Sequence, residues 1–233
     1  MANVRSINDI NFEDIVFSKQ KVKSENKFLY VYCERKPVVI KMPKMKLPFG
    51  LQKDTLNTNK NQYIMDLSFD GNEALLEKFR ELSTVIIRKV QEQFYPDKSI
   101  EEVTENYVSC VKDSNNPQFA PTFRAKIITN DAKQPKCDFY HSERSEDGKY
   151  PKINVEEKGG ETFLLMSLNK SSYHETIVEC IGLWFFNGKF GMSFKVNQVL
   201  VYPRQEQPQT RDDCQFIDSD SESSNEDVDF LGE

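Results

Sequence analysis

Residues 180–195 read Cys-Ile-Gly-Leu-Trp-Phe-Phe-Asn-Gly-Lys-Phe-Gly-Met-Ser-Phe-Lys, two apolar runs joined by Asn187-Gly188. Asn-Gly between apolar runs specifies a two-residue type I′ turn, because both central positions need positive φ. The turn fixes the register: Phe186 opposite Lys189, Trp184 opposite Gly191, Gly182 opposite Ser193 and Cys180 opposite Lys195. One face of this hairpin then carries Ile181, Leu183, Phe185, Phe190, Met192 and Phe194, all apolar, which makes it the core side. The other carries Trp184 and Phe186 with Lys189 and Lys195, set among Gly182, Gly191 and Ser193. Rings flanked by ammonium groups are what a single-strand nucleic-acid platform needs, since bases stack on aromatic planes while lysines track phosphates.

Two-residue alternation recurs before the hairpin, and it marks half-buried strands. In residues 28–33, Leu29, Val31 and Cys33 alternate with Phe28, Tyr30 and Tyr32, and residues 34–36 turn the chain into a second run at 37–42. Pro43 and Pro48 flank Lys44 and Lys46, which predicts a loop there. Tyr63, Met65, Leu67 and Phe69 give a third strand its core face. In residues 122–128, Phe123, Ala125 and Ile127 point inward, leaving Arg124 and Lys126 outside. Further strands are expected at 107–111, 163–168 and 177–202, with a polar, turn-rich stretch at 130–160. One element breaks the pattern: Leu75, Phe79, Leu82, Ile86, Val90 and Phe94 recur every three or four residues, which predicts a long amphipathic helix over about 73–94. A capping box at Asp70–Glu73 would start it, and Pro96 would end it. The expected fold is therefore mainly β with one long inserted helix, a closed or nearly closed antiparallel barrel carrying extra strands; an open sandwich is the alternative.

Charge divides the 233-residue chain into two parts. The net charge is −6, yet residues 212–233 hold nine acids and no Lys or Arg, and the remaining 28 acids face 31 bases, a body of +3. The strongest cation cluster lies in residues 19–46 and includes Lys41, Lys44 and Lys46. The chain is thus read as a nucleic-acid-binding domain, 1–211, and an acidic tail, 212–233, with too little apolar content to order itself. Asp227, Asp229 and Phe230 near its end could dock a partner protein, and the tail could occupy the body's own cationic groove as a polyanion mimic.

Other chemistry lacks its usual parts. Two histidines and five scattered cysteines without a C-x-x-C pair leave no zinc signature, and no metal or cofactor is expected. Phosphate-loop, dinucleotide and G-x-S-x-G motifs are missing, so an enzyme is not expected. No apolar stretch is long enough to cross a bilayer, and residues 1–17 show no secretory signal. The binding residues read from pattern alone are Tyr30, Tyr32, Lys41, Lys44, Lys46, Arg124, Lys126, Trp184, Phe186, Lys189 and Lys195.

The segments PVVIKMPKMKLPFGLQ (37–52), APTFRAKIITND (120–131) and GLWFFNGKFGMSFKVNQVLVYP (182–203), followed by the acidic tail, resemble the single-stranded DNA-binding proteins of nucleocytoplasmic large DNA viruses. That family is itself similar to the short-tailed coliphage single-stranded DNA-binding protein. The resemblance implies an OB-fold-like five-stranded barrel that coats single-stranded DNA during viral replication and recombination, in the host cytoplasm or nucleus. It also implies a tail that competes with DNA and docks replication proteins such as a DNA polymerase. The phage pattern ends on its aromatic, whereas Leu231, Gly232 and Glu233 follow Phe230 here. RNA instead of DNA, a homodimer, and a viral scaffold or transcription-associated protein acting through its tail are the alternatives.

Overall fold

The structure is a computed structural model that describes residues 4–18, 27–54 and 62–203. The tail residues Asp227, Asp229 and Phe230, and Cys214, lie outside them. The described chain is mostly β. Its first half contributes β1 (Val4–Arg5), β2 (Ile15–Phe17), β3 (Lys27–Leu29), β4 (Val31–Cys33), β5 (Lys36–Pro37), β6 (Val39–Lys41), β7 (Met45–Leu47), β8 (Gln52–Lys53) and β9 (Gln62–Ser68). Helices α1 (Glu73–Phe94) and α2 (Ile100–Glu105) follow, then β10 (Tyr107–Val108), β11 (Val111–Lys112), β12 (Thr122–Ile128), β13 (Asp138–His141) and β14 (Lys152–Ile153). Helix α3 (Glu161–Ser167) precedes the long hairpin of β15 (Ser172–Phe186) and β16 (Lys189–Val201).

The hairpin turn is as expected: Asn187 and Gly188 take φ of 48° and 74°. Phe186, Trp184 and Gly182 pair with Lys189, Gly191 and Ser193. Beyond Gly182 the register differs from the expected one, because Ile181 forms a bulge that sets Cys180 opposite Phe194 and Glu179 opposite Lys195. One extra residue reverses which side chains face inward. Cys180 is therefore buried and Ile181 only half-buried, the reverse of the alternation drawn straight through.

Around this hairpin the pairings form a circuit: β15 to β7, β7 to β9, β9 to β12, β12 to β16, and β16 back to β15. Two joins are narrow, each resting on one register pair, Lys46 with Ser68 and Lys126 with Lys195. With other strands attached, the 13-stranded sheet is not a clear barrel, and β2, β4 and β5 form a separate 3-stranded sheet that packs beside β15. Nor is it purely antiparallel: β10, β12 and β13 all run parallel to β16.

Helix α1 spans the expected residues and closes the apolar side. Phe79 is fully buried, its ring 4.6 Å from Phe123, 5.9 Å from Phe69 and 6.0 Å from Phe194, centroid to centroid. Leu82, Ile86 and Val90 are buried along the same stripe; full burial of each such side chain contributes roughly 1.5–3 kcal/mol.

Three local expectations are corrected. Asn72, not Asp70, is the N-cap of α1, and no side chain caps it; the capping box is at Ser99–Glu102, where each partner bonds the other's amide. Residues 163–168 are not a strand: 163–167 belong to α3 and Leu168 is its C-cap, with Leu164 and Leu168 buried one turn apart. Lys46 is not on a loop: Met45–Leu47 forms β7, and Pro43 and Pro48 stand just outside it, where no ladder amide is required.

His174 on β15 is wholly buried, with Nε2 2.7 Å from the Ser172 hydroxyl. Burial lowers its pKa from 6.5 to about 4, and the charge of Lys44 acts in the same direction. Between those values the unfolded chain binds a proton that the folded chain refuses, so stability falls as pH drops below about 6.5 and levels off near 4. Urea unfolding at pH 5 should show roughly 2 kcal/mol less stability than at pH 7.5 from this group. His174→Gln should remove most of that difference; an unchanged pH dependence in the variant would refute the assignment.

Candidate nucleic-acid interface

Strand β3 pairs with the far end of β15, placing Leu29 beside Leu183 and Phe28 beside Trp184. Leu29, Leu183, Val31 and Cys33 are buried, so alternation turns Phe28, Tyr30 and Tyr32 to the other side, together with Trp184. Phe28 and Tyr30 meet edge to face at 5.8 Å, and Tyr30 and Tyr32 lie 6.5 Å apart at 44°. Phe28, Tyr30 and Phe186 are 46%, 56% and 57% exposed, while Trp184 and Tyr32 are half-buried. Phe28, Tyr30 and Phe186 are too exposed to form a second core layer.

Two glycines seat these rings. A Cβ on Gly182 would lie 2.4 Å from the Leu29 carbonyl oxygen and 2.6 Å from Cζ of Phe28. A Cβ on Gly191 would lie 2.4 Å from the Val108 carbonyl oxygen and 2.9 Å from Cζ2 of Trp184. The small residues therefore let the indole lie close against the neighbouring backbone. Trp184 is not beneath α1, which packs on the Phe123 and Phe194 side of the sheet.

The expected cations separate into two groups. Arg124 donates from Nε and Nη2 to both carboxylate oxygens of Asp66, at 2.7 and 2.6 Å. Lys126 lies 3.5 Å from Asp54, Lys195 3.1 Å from Glu179, and Lys41 3.6 Å from Glu175. Lys44 stands 3.8 Å above the Tyr202 ring near the opposite end of β15, away from Trp184, and Lys46, opposite Tyr173, lies at that same end of β15. Lys46 and Lys189 have no carboxylate partner among the described residues. Lys46 belongs to a row in register across the sheet: Tyr173, Lys46, Ser68, Thr122 and Lys112. Burial, then the charge of Arg124, pushes the Lys112 ammonium below its ordinary pKa, with Asp66 opposing.

No family model and no curated protein matches this chain. Among solved structures, the single-stranded DNA-binding protein from bacteriophage Enc34 is similar at 11% identity, with 85% of this chain and 96% of that one covered and a TM-score of 0.47. The same phage protein in complex with single-stranded DNA aligns at 11% identity over 83% of this chain and 98% of that one, TM-score 0.48. The single-stranded DNA-binding protein gp2.5 of bacteriophage T7 aligns at 9% identity over 81% and 100%, TM-score 0.40.

Two members of the surface were not among the expected residues. Phe28 shares the alternation of Tyr30 and Tyr32, so its signal was present; what sequence lacked was the pairing with Trp184. Lys112 stands in a two-residue strand without a periodic pattern, and only the β11–β12 register places it. Among the described residues, no group of three His, Cys, Asp or Glu is arranged to hold a metal ion, and no helix is long and apolar enough to cross a membrane.

Proposed function

We propose that this chain binds single-stranded DNA without sequence preference and without catalysis, its bases stacking on Phe28, Tyr30, Trp184 and Phe186. What carries the proposal is the set of exposed and half-buried rings on one side of the sheet, Phe28, Tyr30 and Tyr32 in ring contact and Trp184 in register with Phe28, two of them seated on Gly182 and Gly191. A ring face accepts any base, which gives sequence tolerance. The five-strand circuit with β12 parallel to β16 supports an OB-type barrel as the scaffold. The family resemblance extends the reading to coating of exposed strands during viral replication and recombination, in the host cytoplasm or nucleus. It also extends it to an acidic tail that competes with DNA and docks replication proteins through Asp227, Asp229 and Phe230.

The chain has a single tryptophan, so its emission reports this surface directly. Titrating the full chain with a dT oligonucleotide at low salt should quench Trp184 fluorescence, with affinity falling as salt rises. A duplex of equal length should not compete. An rU oligonucleotide tests whether a 2′-hydroxyl matters. Unchanged emission together with no mobility shift of the oligonucleotide would end the proposal.

A further inference from the structure

Three cations that sequence assigned to phosphate contacts are already neutralised inside the fold. Arg124 and Lys126 keep 27% side-chain exposure each, above Asp66 and Asp54, whose side chains keep only 6% and 3%. Lys195, in register with Lys126, is held by Glu179, which also accepts from the Asn197 amide. A phosphate could draw Arg124 away only by leaving the Asp66 carboxylate sealed without its cation, which is strongly unfavourable. A phosphate placed above the intact pair meets no net charge. Lys46, Lys112 and Lys189 differ in having no carboxylate partner among the described residues, and Lys112 and Lys189 are exposed. Two of them lie on the row that crosses from β7 to β11, and Lys189 faces Phe186 across the hairpin.

We infer that Lys46, Lys112 and Lys189 make the phosphate contacts of a bound strand that runs along this row toward the hairpin, while Arg124–Asp66, Lys126–Asp54 and Lys195–Glu179 form a charge-neutral floor that releases no counterions. This rests on the single-stranded DNA reading above. Counterion release distinguishes the two groups, because each phosphate contact to a single strand adds about 0.7 to the slope of log K against log salt.

The test measures that slope for the full chain and its variants with a labelled dT oligonucleotide. Lys46→Gln, Lys112→Gln and Lys189→Gln should each lower the slope by about 0.7. The paired replacement Arg124→Gln with Asp66→Asn should leave the slope unchanged, whatever it does to affinity. Lys195→Gln with Glu179→Gln, a more exposed pair, gives the same comparison if the Arg124 variant does not fold. A slope reduced by the paired replacements, or unaffected by the single lysine changes, overturns the inference while leaving single-strand binding intact. Absence of dT binding by the unmodified chain overturns the functional reading and this inference with it.

Discussion

Trp184→Ala should weaken binding of a labelled dT oligonucleotide roughly 5- to 150-fold, the 1–3 kcal/mol of one stacked base. The substitution removes the fluorophore, so anisotropy of the labelled strand is the appropriate readout. Trp184→Phe retains a flat ring over Gly191 and should recover most of the loss. Phe28→Ala should cost a similar factor. The double variant should cost less than the product of the two, because Phe28 and Trp184 are register neighbours and neighbouring sites couple. The slope of affinity against salt should not change, since neither ring carries charge. If Trp184→Ala binds dT as tightly as the parent while remaining folded, stacking on this row is excluded.

The second large effect is on stability. Phe79→Ala removes the one ring that touches Phe69, Phe123 and Phe194 together, and it should lower the unfolding free energy by about 3–5 kcal/mol in a urea titration. That is a large part of the 5–15 kcal/mol typical of a domain. Phe79→Leu, which leaves a smaller void, should lose less and remain folded. The folded Phe79→Leu protein should bind dT with unchanged affinity, because α1 and the aromatic row occupy opposite sides of the sheet. A loss below about 1 kcal/mol for Phe79→Ala would contradict the packing described. A folded Phe79→Leu protein unable to bind would mean that the two sides are coupled.

The elements readable from sequence were those with a long, unambiguous period or a dedicated turn. Helix α1 repeats its apolar stripe over 22 residues, and the Asn187-Gly188 turn needs a positive φ at both positions. From Phe123 onward, strand β12 alternates between buried and half-buried positions. Short apolar runs were not decidable this way. The Phe163-Leu-Leu-Met-Ser-Leu168 segment suits a strand or a helix equally, and the burial of Leu164 and Leu168 one turn apart is a tertiary fact. Asp70-Gly-Asn-Glu73 and Ser99-Ile-Glu-Glu102 both spell a capping box, and only the backbone shows which one closes. The bulge at Ile181 leaves no mark in composition. At the site, the rings were legible and the fate of the cations was not. Asp66, Asp54 and Glu179 are remote in sequence from the bases they neutralise, so counting charges along the chain reports cations that the fold has paired.

The contacts beneath the rings also constrain how this chain can diverge. No residue larger than glycine fits at 191 beside the Val108 carbonyl and the indole, and none fits at 182 beside the Leu29 carbonyl and Phe28. The nearest obstacle at each site is a backbone oxygen, which stays in place whatever ring lies above it. Across descendants of this chain, Gly182 and Gly191 should therefore persist even where Phe28 or Trp184 has been replaced.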